Sequence, residues 1–158
     1  MLVEPKVPTR KGSGEFFVGD VFIDVVHTRK PMPSRLACGL VHFTPGSRTA
    51  WHSHEYGQTL YITEGVALVG NRDGDVLVAR SGDVVYTPPG EEHWHGAAQD
   101  SFMSHLALYE GGVDGEGATW REHVTEDDYA AAGRRAAMAC EDGNQRNALS
   151  GGGARGGA

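Results

Sequence analysis

Cysteine is scarce in this sequence, since only Cys38 and Cys140 occur among 158 residues. A disulfide framework needs several closely paired cysteines, so both are predicted to be free thiols. No run of 18 consecutive apolar residues is present, which excludes a helix spanning a membrane. Charged residues interrupt the stretch before Gly14, so it does not resemble a secretion signal. We therefore expect a cytoplasmic protein with no membrane partner.

Basic residues are also few, with 14 Lys and Arg against 21 Asp and Glu, a net charge of −7 and a pI near 5.5. Proteins that bind nucleic acid usually carry a basic patch, so nucleic acid is not an expected partner. The length is that of about one domain, and 39% hydrophobic with 22% charged residues is ordinary for a globular fold.

The chain divides into three segments by composition. Residues 1–14 show little periodicity and are predicted to be a flexible leader, while the glycine-rich residues 139–158 are predicted to be a disordered tail. Residues 15–138 form the predicted domain. Within it, short runs rich in Val, Ile, Phe and Tyr end at Gly, Pro, Asn or Asp, which indicates strands. The predicted strands cover residues 16–18, 21–27, 36–43, 58–63, 66–69, 76–79, 83–87 and 102–109.

Eight short strands favour an all-β sandwich or barrel. The Asp73-Gly74 pair predicts a tight hairpin, and residues 80–83 predict a second turn, so the middle of the chain should be antiparallel. Thr125 followed three positions later by Asp128 resembles a capping box, which predicts one helix over residues 126–138.

Two stretches carry the candidate chemistry. In residues 46–65, GSRTAWHSHEYGQTLYITEG, His52 and His54 lie two positions apart and Gln58 follows. An extended backbone directs alternate side chains to one side, so both imidazoles should point the same way. In residues 82–98, GDVVYTPPGEEHWHGAA, a Pro-Pro-Gly turn precedes His93 and could bring it toward that pair.

These stretches resemble the two cupin motifs. The first runs Gly, five residues, His-x-His, three residues, a ligand, six residues, Gly; the second runs Gly, five residues, Pro-x-Gly, two residues, His. The resemblance implies that His52, His54, Gln58 and His93 bind one divalent metal ion. It also implies a cupin double-stranded β-helix, or jelly-roll barrel, to which the short C-terminal helix is added.

The sequence departs from the cupin pattern at two positions. Gln58 stands where the first motif usually has Glu, and Ala97 stands where the second usually has Asn. Three neutral imidazoles and a neutral amide leave the full charge of a divalent ion uncompensated, so the site should favour anionic ligands. The mixed nitrogen and oxygen donors suit several metals. Mn or Fe is the expected ion, with Zn, Ni or Co as alternatives.

A closer resemblance extends over most of the predicted barrel. The segments RTAWHSH, GQTL, GDVV, PGEEHWHGAA, SHLAL and EHVTEDDY are similar to the bacterial cupin-type hydroxynitrile lyases, which share the glutamine ligand. That group splits a cyanohydrin into an aldehyde and hydrogen cyanide on a manganese-type centre. The resemblance therefore implies a metal-dependent lyase whose partner is a small hydroxy or carbonyl compound.

The same resemblance suggests roles around the metal. His105 lies on one face of its strand by alternation and is the candidate base, and Thr49 is a candidate hydrogen-bond donor to the substrate or leaving group. Two roles remain open for His95. It is either a pocket residue that supports the metal ligands or a histidine hydrogen-bonded to the backbone. The residues expected to line the pocket and set its size are Gly39, Val41 and Tyr109.

Three other functions remain open at this point. A cupin site with three histidines also suits a metal-dependent dioxygenase or another oxidoreductase, a polyketide cyclase or isomerase, and a binding module without catalysis. Oxygen consumption would distinguish the first of these from a lyase. A homodimer or higher homo-oligomer is expected, because exposed strand edges need covering.

Overall fold

The computed structural model describes residues 1–28, 30, 32–111 and 117–141, with side chains as far as Met138. Eleven strands and one helix form in this part of the chain. They are β1 (Arg10–Lys11), β2 (Phe17–Val18), β3 (Val21–His27), β4 (Leu36–Phe43), β5 (Arg48–Ser53), β6 (Gln58–Asn71), β7 (Val76–Arg80), β8 (Val84–Thr87), β9 (His93–Ala97), β10 (Met103–Glu110), β11 (Thr119–His123) and α1 (Glu126–Glu141).

All the strands pair antiparallel in one curled sheet, in the order β1-β3-β4-β10-β6-β9-β5-β11. Strand β2 pairs with β5, and β7 and β8 both pair with β6. The first part of β6 contacts β8 and β10, whereas its second part contacts β7 and β9. This long strand therefore belongs to both walls, and the sheet curls around it. The architecture is the predicted all-β one with a single C-terminal helix.

Gly65 allows β6 to pass from one wall to the other. Its φ is +73°, a conformation that side chains with a Cβ rarely adopt. A Cβ at this position would also collide with the carbonyl oxygen of Phe102. The pairing of β6 with β10 is irregular beside it, between Ser104 and His105. The glycine that closes the first motif thus has a structural reason to be there.

Apolar side chains fill two clusters. One lies inside the curled sheet and includes Phe43, Leu60, Ile62 and Met103. The other lies between the sheet and α1, where Tyr129 packs against Trp94 and donates a 2.7 Å hydrogen bond to the carbonyl oxygen of Ala97. Burial of this second cluster attaches the helix to the outside of the barrel.

The predicted turns and helix start are present. Gly74 and Gly82 both have positive φ, at +84° and +93°, in the turns after β6 and β7. Thr125 Oγ1 accepts a hydrogen bond from the backbone N–H of Asp128 at 3.1 Å, which is an N-cap. None of the described helical residues form a segment long and apolar enough to cross a membrane.

The predicted strands differ from the observed ones in two respects. The strands predicted at 58–63 and 66–69 are a single strand, β6, because Gly65 bends the chain without ending it. Strands β5, β9 and β11 were not predicted. In β5 and β9 nearly every side chain is buried and several are polar, so the alternation of polar and apolar residues is missing.

The ends of the chain add two observations. Strand β1 lies within the predicted leader and pairs with β3. The helix backbone extends to Glu141, three residues beyond the predicted end. The remainder of the predicted tail, 142–158, lies outside the described residues, and so does the side chain of Cys140. Cys38 is a free thiol, as expected.

Candidate metal centre and active-site cavity

Antiparallel pairing of β5 with β9 creates the histidine cluster. His52 and His93 are directly opposite each other in this pair, so their side chains project on the same side, and their ring centroids are 4.3 Å apart. His54 follows β5 immediately, with its ring 5.3 Å from that of His52 and 5.8 Å from that of His93. All three side chains are buried. The fold thus gathers the three histidines that the motifs singled out.

The backbone sets the tautomer of all three rings. Each Nδ1 lies within hydrogen-bond distance of a backbone carbonyl oxygen, which can only accept, so the ring proton is on Nδ1. For His52, His54 and His93 the acceptors are the oxygens of Ala50, Gly117 and Glu91, at 3.0, 2.6 and 3.1 Å respectively. The Nε2 lone pairs of the rings are consequently available to bind a metal ion.

The surroundings of these lone pairs fit a metal ion. Nε2 of His54 is buried and has no hydrogen-bond partner among the residues that the structure describes. Nε2 of His93 lies 2.9 Å from Oε1 of Gln58, so two acceptors face each other. Protonation does not resolve this, because burial lowers the pKa of His93, lowers that of His54 to about 4 and lowers that of His52 well below its ordinary value. A metal cation can bind all of these lone pairs at once, which removes the conflict between the acceptors.

His95 is the fourth histidine of the cluster. One ring nitrogen from each of His52, His93 and His95 lies within 4.8 Å of the others, so this buried triad could hold a metal ion. Nδ1 of His95 is 3.2 Å from Nε2 of His105, which leaves its Nε2 for the cluster. When Nδ1 of His95 donates to His105, this Nε2 has a lone pair, which can either bind a cation or accept a proton from a substrate.

His105 lies next to His95, with ring centroids 4.7 Å apart, and is fully buried. Its Nε2 bonds to His95, and its Nδ1 is shielded from solvent and has no partner among the described residues. Burial lowers the pKa of His105 to about 3, and burial likewise lowers the pKa of His95 well below its ordinary value. Both rings are therefore neutral near pH 7. The predicted base and the predicted pocket histidine form one hydrogen-bonded pair.

A cavity of about 800 Å³ opens onto the cluster. All four residues predicted to face the substrate, Thr49, Gly39, Val41 and Tyr109, line this cavity, and so do His95 and His105. Thr49 Oγ1 accepts a 3.1 Å hydrogen bond from the backbone N–H of His95, and its own hydroxyl proton remains available for a ligand. The ring of Tyr109 lies 5.0 Å from that of His54. The cavity is in the size range of pockets that bury small organic molecules.

Several cavity residues were not predicted. The Trp120 ring lies 4.7 Å from the His52 ring, and Gly117 supplies the carbonyl that orients His54. Arg10, Phe17 and His27 also line the cavity. These residues belong to β1, β2, β3, β11 and the segment before β11, all far in sequence from the two motifs. No local pattern connects them with the site, because only the curling of the sheet brings them there.

Comparison with known proteins agrees with this geometry. Residues 39–109 match the Cupin_2 model, described as a cupin domain. Over 119 residues the chain is 45% identical to an (R)-mandelonitrile lyase from Granulicella tundricola, which covers 75% of this chain and 89% of that protein. The chain belongs to the cupin family.

Two solved structures have a similar fold. A cupin-like protein from Thermotoga maritima is 38% identical, with a TM-score of 0.73, over 77% of this cupin and 91% of that chain. A polyketide cyclase, RemF from Streptomyces resistomycificus, has a TM-score of 0.53 at 20% identity, over 69% of this cupin and 75% of that chain. The second likeness shows the shared fold alone. The cupin is thus a homologue of a hydroxynitrile lyase, with a buried histidine triad suited to a metal.

Proposed function

We propose that this cupin is a metal-dependent hydroxynitrile lyase, which splits a cyanohydrin into an aldehyde and hydrogen cyanide. The observation that carries the proposal is the cluster of unprotonated imidazole nitrogens, buried at the base of the cavity beside the hydrogen-bonded pair of His95 and His105. The 45% identity to a mandelonitrile lyase supports the choice of reaction, because mandelonitrile is a cyanohydrin.

The proposed ligands are Nε2 of His52, His54 and His93 together with Oε1 of Gln58, and manganese or iron is the proposed ion. All four donors are neutral, so the protein cancels none of the charge of a divalent metal. A bound metal would supply positive charge that stabilises the negative oxygen developing on the substrate. Leaving His95 out of the ligand set keeps its lone pair for a proton.

The pair of His95 and His105 is placed to move the substrate proton. His95 accepts the hydroxyl proton on Nε2 and remains hydrogen-bonded to His105, which spreads the added charge over two rings. As the carbon–carbon bond breaks, its electron pair leaves with cyanide and the carbonyl double bond forms. Return of the proton to cyanide yields hydrogen cyanide. In this account His105, the predicted base, acts through His95, because its own Nδ1 is shielded.

The other cavity residues orient the substrate and exclude water. The Thr49 hydroxyl can donate to the substrate oxygen or to departing cyanide. Gly39 leaves space on one wall, since a Cβ there would make only ordinary contacts. Tyr109, on the neighbouring strand β10, limits the space near the cluster, because its ring lies 5.0 Å from that of His54. Gly39 and Tyr109 together influence the size of the aldehyde that fits.

We also propose that the cupin forms a homodimer or higher homo-oligomer. Tyr61 and Val84 are opposite each other on β6 and β8, and Tyr86 lies two residues further along β8 on the same outer face. Val84 and Tyr86 are 58% and 61% exposed. An exposed apolar strand at a sheet edge favours association with another copy. The mass in solution, measured by light scattering, tests this.

The test of the function measures cyanide release from mandelonitrile by protein of known metal content. Release should require the metal, disappear after chelation, return on adding the ion back, and proceed equally with and without oxygen. Metal-loaded protein that releases no cyanide contradicts the proposal. Substrate consumption that needs oxygen would identify an oxidoreductase instead.

A further inference from the structure

The lining of the cavity has a charge opposite to that of the protein. Among the described residues that line it, none is Asp or Glu, although the chain contains 21 acidic residues and has a net charge of −7. The basic residues of the lining are Arg10, Lys11 and histidines. Although the protein is acidic overall, the described lining of this cavity contains no carboxylate. Its basic residues therefore favour anionic ligands there.

Two of the basic groups at the rim already have acidic partners. Nζ of Lys11 lies 2.6 Å from Asp20, and Nδ1 of His27 lies 3.6 Å from Glu4. Arg10 differs from both, because within the part of the chain that the structure describes no carboxylate forms an ion pair with it. Its guanidinium can therefore bind an external anion without first breaking a contact.

The strand register directs Arg10 toward the cavity. Arg10 is paired with Ile23 between β1 and β3, and directly opposed residues project on the same face. Ile23 packs against the interior cluster and lines the cavity. Lys11 also borders the cavity, but it is paired with Phe22, which is exposed on the outer face, and its ammonium group is bound to Asp20. Because Arg10 is exposed and the histidine cluster is buried, Arg10 lies at the mouth of the cavity and the cluster at its base.

We propose that the substrate carries a carboxylate at the end opposite its reacting hydroxyl, and that Arg10 binds this carboxylate at the cavity mouth. A guanidinium has a planar set of donors that matches a carboxylate in two parallel hydrogen bonds. The need to stabilise cyanide accounts for positive charge at the base of the cavity, and it does not account for an unpaired arginine at the mouth. The inference rests on the proposed lyase function for its reaction, and on the cavity alone for its ligand.

Kinetics on two matched substrates test the proposal. Mandelonitrile and 4-carboxymandelonitrile differ only in the distal carboxylate, so their KM ratio isolates its binding. We expect the carboxylated substrate to have a KM lower by about five- to tenfold, with similar kcat, because binding far from the reacting atoms is the same in ground and transition states. The advantage should shrink as ionic strength rises.

Three variants make the test specific. Arg10→Gln should remove the KM preference, whereas Arg134→Gln removes the same charge from an exposed position on α1 that does not line the cavity and should keep it. Arg10→Lys should keep part of it, since the charge remains without the paired donors. An unchanged preference in Arg10→Gln overturns the proposal.

Binding measurements separate this inference from the lyase function. Calorimetric titration of the metal-loaded protein with 4-formylbenzoate and with benzaldehyde needs no turnover. Tighter binding of 4-formylbenzoate to wild type but not to Arg10→Gln supports the substrate class even if cyanide is never released. Equal binding of the two aldehydes to wild type rejects the substrate class, whatever the lyase assay shows.

Discussion

The side-chain oxygen of Gln58 lies 2.9 Å from Nε2 of His93, and neither atom has a proton to share. His93 donates its ring proton to the carbonyl oxygen of Glu91, and the desolvation that accompanies burial lowers its pKa, so a second ring proton is disfavoured. Two buried acceptors at this distance repel unless a positive charge lies between or beside them. The two atoms can remain this close when both bind the same metal ion.

Replacing Gln58 with Glu should strengthen metal binding and slow the reaction. A carboxylate adds one negative charge beside the ion, which raises metal affinity by about tenfold or more and weakens its stabilisation of the substrate oxygen. We expect kcat for cyanide release to fall by about tenfold while the bound metal is retained. Metal titration and the cyanide assay check this, with the exposed Gln99→Glu as the charge-matched control. Wild-type kcat in Gln58→Glu would contradict it.

Variants of the metal ligands should lose bound metal, whereas variants of the proton-transfer residues should retain it. His54→Ala removes a proposed ligand and should reduce bound metal and activity together. His95→Asn should keep the metal and lower kcat by about a hundredfold to ten-thousandfold, as expected for loss of a general base. Elemental analysis alongside kinetics distinguishes them. If His95→Asn loses its metal as fully as His54→Ala, then His95 is a ligand, and the triad of His52, His93 and His95 is the metal site.

Acid should destabilise the metal-free protein in a defined pH range. Burial lowers the pKa of His54 to about 4 and that of His105 to about 3, against 6.5 for an ordinary histidine. The unfolded chain therefore binds more protons than the folded one below pH 6.5, so the free energy of unfolding falls as pH drops from 6.5 toward 3. Each such group contributes up to about 1.4 kcal/mol per pH unit.

Denaturant unfolding at a series of pH values measures that slope. His105→Phe should flatten it, whereas substitution of the exposed His123 by Gln should not. Stability that is independent of pH between 6.5 and 4 would show that these histidines are not desolvated as described.

A side chain at position 117 should disturb the metal site. A Cβ on Gly117 would lie 2.8 Å from the Tyr109 ring, so either the ring or the carbonyl that orients His54 must move. We expect Gly117→Ala to weaken metal binding by several-fold. Adding Tyr109→Ala removes the clash and should restore affinity. No rescue in the double variant would mean that the collision with Tyr109 is not the cause.

The helix cap should affect stability without affecting metal binding. Thr125 Oγ1 accepts a hydrogen bond from the backbone N–H of Asp128 at the start of α1, and Thr125 does not line the cavity. Thr125→Ala should lower the free energy of unfolding by about 1 kcal/mol. Thr125→Ser keeps the hydroxyl and should retain most of the stability. Thermal or denaturant unfolding checks this, and a loss of bound metal in Thr125→Ala would connect the helix to the site.

Short segments of the sequence determined the turns, the helix cap, several strand bounds and the candidate ligands. The positive φ of Gly74 and Gly82, the cap at Thr125 and the bounds of β3 and β4 follow from neighbours within a few positions. His52, His54, Gln58 and His93 could be singled out for the same reason, because their spacing relative to glycines and prolines is written in two short segments. Short-range sterics and hydrogen bonding act on adjacent residues, so a linear pattern preserves them.

Only the tertiary structure decided how these pieces meet. The register of β5 against β9 places His52 opposite His93, yet neither strand shows alternation because both are buried on both faces. Gly117, which orients His54, is 63 positions away in sequence, and Arg10 reaches the cavity mouth only because β1 pairs with β3. Pairing between distant strands depends on closing long loops and packing a shared core, and no single segment contains that information.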